Sequence, residues 1–150
     1  MYLATGCSDV RWPKTSYRWR MDSWVTYARA PLTTWGNTWF NAPCLNWPVQ
    51  SGTPVVVNGA KAPKMLLLSE THDAATPFEG ALEVRARFPR SVLIEGAGGT
   101  SHSAALTGGS ACTNNAVADY LAKGTTPTRL AGRKADRRCA PTPQPGPTDD

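Results

Sequence analysis

Two short apolar runs, each followed by a loop and a helical pattern, constrain the fold of this chain more than any other feature. The first run is Met65 to Leu68, and the second is Ser91 to Glu95. Each is bounded by proline or polar residues, which is typical of strands buried on both faces of a parallel sheet. Strand, loop and helix, repeated twice, indicate an α/β fold with two parallel strands and flanking helices.

The helices of this pattern have recognisable ends. Thr76 as N-cap and Glu79 three residues later form a capping-box pattern, which predicts that a helix starts there. Its apolar stripe is interrupted by Arg85, which weakens the pattern. A final helix is predicted from Ala111 to Lys123, with Gly124 as its C-cap.

Composition divides the chain near Pro48, because all six tryptophans precede that residue. The tryptophan-rich part shows no sustained strand alternation, so we predict a mostly helical, cap-like or lid-like segment over residues 1–50. Residues 51–127 carry the α/β pattern. Residues 128–150 are basic and then proline-rich, and we expect them to form a disordered tail.

The overall charge does not point to a particular macromolecular partner. The chain has 16 Lys and Arg against 11 Asp and Glu, a formal net charge of +5, which favours solubility but does not imply a nucleic-acid partner. No segment approaches the ~20 apolar residues of a membrane span, so we expect no membrane partner. The first residues, MYLATGCSDV, lack a basic and apolar leader, so we expect no signal peptide within this sequence.

The four cysteines favour disulfides over a zinc site, because they form no C-x-x-C pair and the chain has only two histidines. Pairing in sequence order is one of three possible connectivities. Disulfides imply an oxidising compartment, so we expect a secreted or extracellular protein. The order-based pairs are Cys7 with Cys44 and Cys112 with Cys139.

A carboxylate and an imidazole follow the two predicted strands. Asp73 comes after the first, and His102 follows the glycine-rich loop after the second. Functional groups gather at the carboxyl ends of parallel strands. An acid that orients a histidine is what a serine hydrolase needs, and acid before histidine is the chain order in α/β hydrolases. Taken singly, such an Asp is more often a turn or capping residue, and such a His is more often structural.

Metal and phosphate sites are the weaker interpretations of the same loops. His72, Asp73 and His102 lack the partner-rich spacing of a metal site, and adjacent residues seldom bind one ion together. The glycines at Gly96 to Gly99 follow a strand but lack the Lys-Ser/Thr ending of a phosphate loop. We therefore expect neither a metal nor a cofactor.

The segments LLLSETHDAATPFEGALEV and FPRSVLIEGAGGTSHS resemble the end of the hydrolase domain in secreted bacterial tripeptidyl-aminopeptidase-like proteins, α/β hydrolases related to proline iminopeptidases. The family's D-x-x-T-P pattern matches Asp73, Thr76 and Pro77, and its glycine-rich turn ending in histidine matches His102. The resemblance covers roughly residues 2–139, including the cysteines. It implies the C-terminal part of an α/β-hydrolase fold, with Asp73 as triad acid and His102 as general base.

The resemblance also implies a nucleophile in a G-x-S-x-G elbow, which is not in this sequence. The nearest match, GCSDV, contains Ser8 but has Val10 in place of the final glycine and lies in the part similar to the cap. Ser101 and Ser103 follow the acid, which is the wrong order for this fold. We therefore expect a segment of a serine exopeptidase that is inactive alone.

Two partners follow from that expectation. One is an N-terminal hydrolase half that carries the nucleophilic serine, and the other is a peptide substrate with a free N-terminus.

A competing hypothesis is a disulfide-stabilised extracellular binding module that has lost catalysis and uses its aromatic lid, since tryptophans with interleaved arginines stack on planar ligands. Packing of a lid accounts for the same tryptophans.

Overall fold

The computed structural model describes residues 1–49, 51–106, 109–142 and 146. The chain divides into two compact units, Met1–Val56 and Val57–Asp150. None of the helices within the described ranges is long and apolar enough to cross a membrane.

The unit Met1–Val56 is helical, which confirms the predicted helical character of the tryptophan-rich segment. Its elements are α1 (Tyr2–Asp9), α2 (Ser16–Tyr27), α3 (Thr34–Asn41) and the 3₁₀ helix Ala42–Asn46. The Cys7–Cys44 disulfide joins α1 to the 3₁₀ helix, and both of its residues are buried. Helices α2 and α3 pack through aromatic side chains, with Trp24 edge-on to Trp35 at 5.0 Å between ring centroids.

The unit Val57–Asp150 contains a parallel sheet with helices, which confirms the predicted α/β class. Its elements are β1 (Met65–Glu70), α4 (Phe78–Arg87), β2 (Ser91–Gly96), α5 (Ala111–Lys123) and β3 (Arg137–Cys139). The strand order is β1-β2-β3, and both pairings are parallel. The register places Glu70 opposite Gly96 and Gly96 opposite Cys139.

The two predicted strands differ in their burial. Leu93 and Ile94 of β2 are fully buried, because β2 lies between the other two strands. Residues Met65 to Leu68 of β1 are only partly buried, since β1 lies at the edge of this sheet. The expectation of burial on both faces therefore holds for β2 and not for β1.

The final helix has the bounds predicted from its pattern. Helix α5 spans Ala111–Lys123, and Gly124 ends it in the left-handed conformation with φ of 66°. The Gly124 N–H donates to the carbonyl of Tyr120 at 2.8 Å, which satisfies one of the last carbonyls of the helix.

The start of α4 differs from the prediction. The helix begins at Phe78, after Pro77, and no side chain caps it. The predicted capping box does not form, since Pro77 and not Thr76 is the N-cap of the helix. The hydroxyl of Thr76 donates to Asp73 at 2.5 Å.

A third strand lies where the sequence predicted a tail. Strand β3 pairs with β2, and its Cys139 forms a disulfide with Cys112 of α5. The two disulfides are therefore those of the order-based pairing.

The segment before β3 is held by a buried ion pair. Arg85 Nη2 of α4 lies 2.5 Å from Asp136 Oδ1, with side-chain exposures of 4% and 0%. Asp136 also accepts the main-chain N–H groups of Leu93, at 2.8 Å, and Leu130, at 2.6 Å. A tail was predicted from composition alone, and composition does not reveal that one buried arginine needs a carboxylate from this segment. The pair also explains why a charged residue interrupts the apolar stripe of α4.

Candidate active site

The candidate site is built where β1 and β2 end side by side. Because Glu70 and Gly96 are opposite each other in the parallel register, the loops that follow them begin side by side at the carboxyl ends of the two strands. Main-chain hydrogen bonds join the loops: Thr71 N–H donates to the carbonyl of Gly96 at 3.1 Å, and His72 N–H donates to that of Gly99 at 2.9 Å. These contacts bring Asp73 and His102 together.

The imidazole of His102 contacts the carboxylate of Asp73. The Nδ1 atom lies 3.0 Å from Oδ2 and 3.1 Å from Oδ1. An ionised carboxylate only accepts hydrogen bonds, so Nδ1 is assigned as the protonated nitrogen of the neutral ring. That tautomer leaves Nε2 as the nitrogen that accepts a proton.

The two side chains differ sharply in exposure. The Asp73 side chain is 6% exposed, whereas that of His102 is 68% exposed. The pair thus has an inner partner that orients the ring and an outer partner that solvent or a reacting group reaches.

The surroundings of Asp73 keep it ionised. Its Oδ2 accepts the Thr76 hydroxyl at 2.5 Å, and its Oδ1 accepts the N–H groups of Ala75 at 2.8 Å and Thr76 at 3.1 Å. The Thr76 hydroxyl is the main cause that places the pKa of Asp73 well below its ordinary value. Burial acts in the opposite direction, while the two N–H groups and His102 lower the pKa further.

These features together allow one kind of chemistry. A carboxylate that stays charged holds the imidazole in one tautomer and stabilises the imidazolium that forms when Nε2 takes up a proton. Such a pair can act as the acid and the base of nucleophilic catalysis when a nucleophile lies next to Nε2.

The serines near the candidate motifs lie in other settings. Ser8 is within helix α1, and its hydroxyl accepts a hydrogen bond from Trp47 Nε1 at 3.0 Å. A nucleophile elbow is a turn between a strand and a helix, so Ser8 does not occupy one. The hydroxyl of Ser101 donates to the carbonyl of Ser103 at 3.2 Å.

The second histidine of the motif does not join the pair. The His72 side chain is exposed, and the main-chain N–H of His72 joins the two loops. Across the described ranges, no three His, Cys, Asp or Glu side chains converge in a way that could hold a metal ion.

Sequence reasoning missed Glu70, the last residue of β1. It is 4% exposed, and its Oε2 accepts the N–H of Ser101, next to His102. The available signal was a charged residue that ends an apolar strand directly before a polar loop and opposite a glycine-rich one.

The unit Met1–Val56 contains a cavity of about 360 Å³ between α2 and α3. Trp12 and Trp19, stacked at 5.3 Å between centroids, form part of its lining. Ser23 and Thr38 also line it, and their hydroxyls lie 2.9 Å apart. The cavity therefore combines aromatic faces with hydroxyl groups.

The parallel sheet, with an acid after one strand and a histidine after the next, defines the C-terminal part of an α/β hydrolase. A protein-family model described as TAP-like protein matches residues 30–139. The chain belongs to this TAP-like family of α/β hydrolases.

Curated relatives agree with the family assignment. The chain is 39% identical to a tripeptidyl aminopeptidase of Streptomyces lividans over 149 residues, which cover 97% of this chain and 26% of the relative. It is 30% identical to a carboxylesterase B of Mycobacterium tuberculosis, over 93% of this chain and 26% of that protein. It is 32% identical to the serine protease Hip1 of the same species, over 65% of this chain and 19% of that protein. The chain thus spans about a quarter of the length of the first two relatives.

Proposed function

We propose that this chain is the C-terminal segment of a secreted serine exopeptidase and supplies the acid and the histidine of a Ser-Asp-His triad. The observation that carries the proposal is the contact of His102 Nδ1 with both carboxylate oxygens of Asp73. In this role Asp73 orients the ring, and His102 is the general base.

The reaction follows from the tautomer. Nε2 of His102 takes the proton of a serine hydroxyl as its oxygen attacks the peptide carbonyl, and Asp73 stabilises the resulting imidazolium. The imidazolium then gives that proton to the departing amine, and the acyl-enzyme is hydrolysed by water with the same residue as base. The serine and the oxyanion-hole donors belong to an N-terminal hydrolase half.

Three features support that partner. The sequence has no G-x-S-x-G pentapeptide, and the chain spans only 26% of the Streptomyces lividans relative. Within the described residues, β1 pairs with β2 along one edge only, so its other edge is suited to a further strand.

The substrate and the compartment are proposed from the same relative and from the cysteines. A tripeptidyl aminopeptidase name points to peptides with a free N-terminus. Two disulfides favour an oxidising, extracytoplasmic location.

A chimera tests the proposal. This chain replaces the matching segment of the Streptomyces lividans relative, and release of a chromogenic tripeptide amide is measured for the chimera and for the chain alone. We expect turnover by the chimera only, with a loss of about 10⁴-fold in kcat on Asp73→Asn or His102→Ala. His72→Ala is the matched control and should retain activity. Undiminished turnover by His102→Ala would contradict the proposal.

A second candidate is a binding module without catalysis, favoured by the cavity that Trp12 and Trp19 help to line. It predicts that the same tripeptide amide quenches tryptophan fluorescence of the chain, that Trp12→Ala weakens this quenching, and that the chimera shows no turnover. Turnover that depends on His102 would exclude it.

A further inference from the structure

We propose that Glu70 is a positioning residue, which holds the His102 loop so that the imidazole stays on Asp73. The inference rests on the proposed function for its catalytic consequence, but its structural content is measurable in this chain directly. Glu70 is the last residue of β1, lies three positions before Asp73, and is buried at 4% exposure.

The Glu70 carboxylate binds the loop that carries the histidine. Its Oε2 accepts the N–H of Ser101, the residue directly before His102. A hydrogen bond to an ionised acceptor is stronger than one between neutral groups. The main chain that carries the imidazole is therefore held by a side chain of the neighbouring strand.

The loop is also shaped around this carboxylate. A Cβ atom built on Gly99 would lie 2.5 Å from Glu70 Oε2, and one built on Gly96 would lie 2.8 Å from Glu70 Cγ. Real Cβ atoms do not approach other heavy atoms so closely, so the carboxylate fills the space that the two glycines leave. This gives the glycine-rich loop a specific role beyond flexibility.

Glu70 contacts both loops that carry the pair. Its side chain holds the N–H next to His102, and its own carbonyl accepts the N–H of Asp73 at 3.5 Å. One residue thus connects the acid loop to the histidine loop. A change in its side chain should act on the imidazole while leaving the contacts of Asp73 with Thr76 in place.

The first test compares Glu70→Ala with Glu70→Gln by NMR of this chain. Glutamine keeps an acceptor oxygen of the same reach, whereas alanine leaves the Ser101 N–H without its acceptor. We expect the Ser101 amide to exchange about 10-fold to 100-fold faster in Glu70→Ala, from loss of a hydrogen bond to a charged group. The downfield Nδ1–H signal of His102 should be lost in Glu70→Ala and retained in Glu70→Gln.

The second test begins with single glycine substitutions, which do not depend on the folding of Glu70→Ala. Gly99→Ala places a methyl group against the carboxylate and should likewise remove the His102 Nδ1–H signal. Gly80→Ala in α4 is the matched control, because a Cβ there meets nothing within 4 Å. In the double variant that combines Gly99→Ala with Glu70→Ala, the free energy of unfolding should fall by less than the sum of the two single effects. The reason is that Glu70→Ala removes the carboxylate against which the new methyl group clashes.

The outcomes separate this inference from the proposed function. In the active chimera, Glu70→Ala should lower kcat with KM unchanged, and Glu70→Gln should restore most of it. If the chimera fails to hydrolyse peptides while the NMR effects are present, the peptidase proposal fails and the positioning role stands. If the Ser101 and His102 signals are unchanged in Gly99→Ala and in the folded Glu70 variants, the positioning role is wrong.

Discussion

At the scale of single residues, Asp73 does two jobs with one carboxylate. It accepts hydrogen bonds from the N–H groups of Ala75 and Thr76 ahead of α4, as a turn-forming aspartate does. It also accepts a hydrogen bond from Nδ1 of His102. The structural and the catalytic interpretations of this residue are therefore compatible, because its two oxygens accept several donors at once.

Thr76 should control the acidity of Asp73. We expect Thr76→Val to raise the pKa of Asp73 toward its ordinary value, because the Thr76 hydroxyl is the largest cause of its depression. Thr76→Ser retains the hydroxyl and should keep the low pKa. Carboxyl ¹³C titration of Asp73 in both variants measures this, and superimposable curves for Thr76→Val and the unsubstituted chain would contradict it.

The same pKa sets a pH dependence for the loop. A carboxyl whose folded pKa lies below its unfolded value of about 3.9 stabilises the fold above that value. The stabilisation declines as the pH falls below about 3.9 toward the lower folded pKa. Acid titration followed by the His102 Nδ1–H signal should therefore show the contact with Asp73 intact at pH 5. Loss of that contact between pH 7 and pH 5 would contradict this expectation.

At the scale of helices and strands, the Arg85–Asp136 pair joins α4 to the segment before β3. Burial alone would raise the pKa of Asp136, yet the hydrogen bonds from Arg85, Leu130 and Leu93 place it below its ordinary value. The hydrogen bond to Asp136 in turn raises the pKa of Arg85. Both groups stay charged, and the segment that carries Asp136 is held against α4 and β2.

Removal of one partner of this pair should be costly. We expect Arg85→Ala to destabilise the protein by about 3–5 kcal/mol, because it leaves a buried carboxylate without its cation. Arg87→Ala is the matched control on the same helix, since the ion pair of Arg87 with Glu83 is roughly half exposed and such pairs contribute about 0.3–0.5 kcal/mol. Urea unfolding of both variants gives the comparison, and equal midpoints would refute the argument.

At the scale of the whole molecule, each compact unit contains one disulfide. Cys7–Cys44 lies within Met1–Val56, and Cys112–Cys139 lies within Val57–Asp150. Each bridge closes a loop, with separations of 37 and 27 residues, and so restricts the unfolded chain.

The Cys112–Cys139 bridge should hold β3 in the sheet. Replacing both cysteines by serine should cost about 2–5 kcal/mol and should speed amide exchange in β3 more than at the centre of β2. Replacing Cys7 and Cys44 is the control, and it should leave exchange in β3 unchanged. Hydrogen exchange resolved by residue measures both, and equal protection of β3 before and after the Cys112–Cys139 replacement would contradict the prediction.

Features that depend on neighbours along the chain could be predicted from the amino-acid sequence. The two apolar runs predicted β1 and β2, and the helical pattern with Gly124 as its C-cap predicted the bounds of α5. The placement of Asp73 and His102 after consecutive parallel strands was enough to predict that they meet, because the carboxyl ends of such strands share one edge.

Features that join distant segments could not be predicted from the sequence and are visible in the folded chain. The burial of Arg85, the strand β3 and the fit of Glu70 into the loop at Gly99 each depend on a partner far along the chain. A charge in an apolar stripe or at a strand end looks unfavourable when its partner is not known. The cost of burying a charge is offset only when a complementary group lies within hydrogen-bond distance, and that distance exists only in the folded chain.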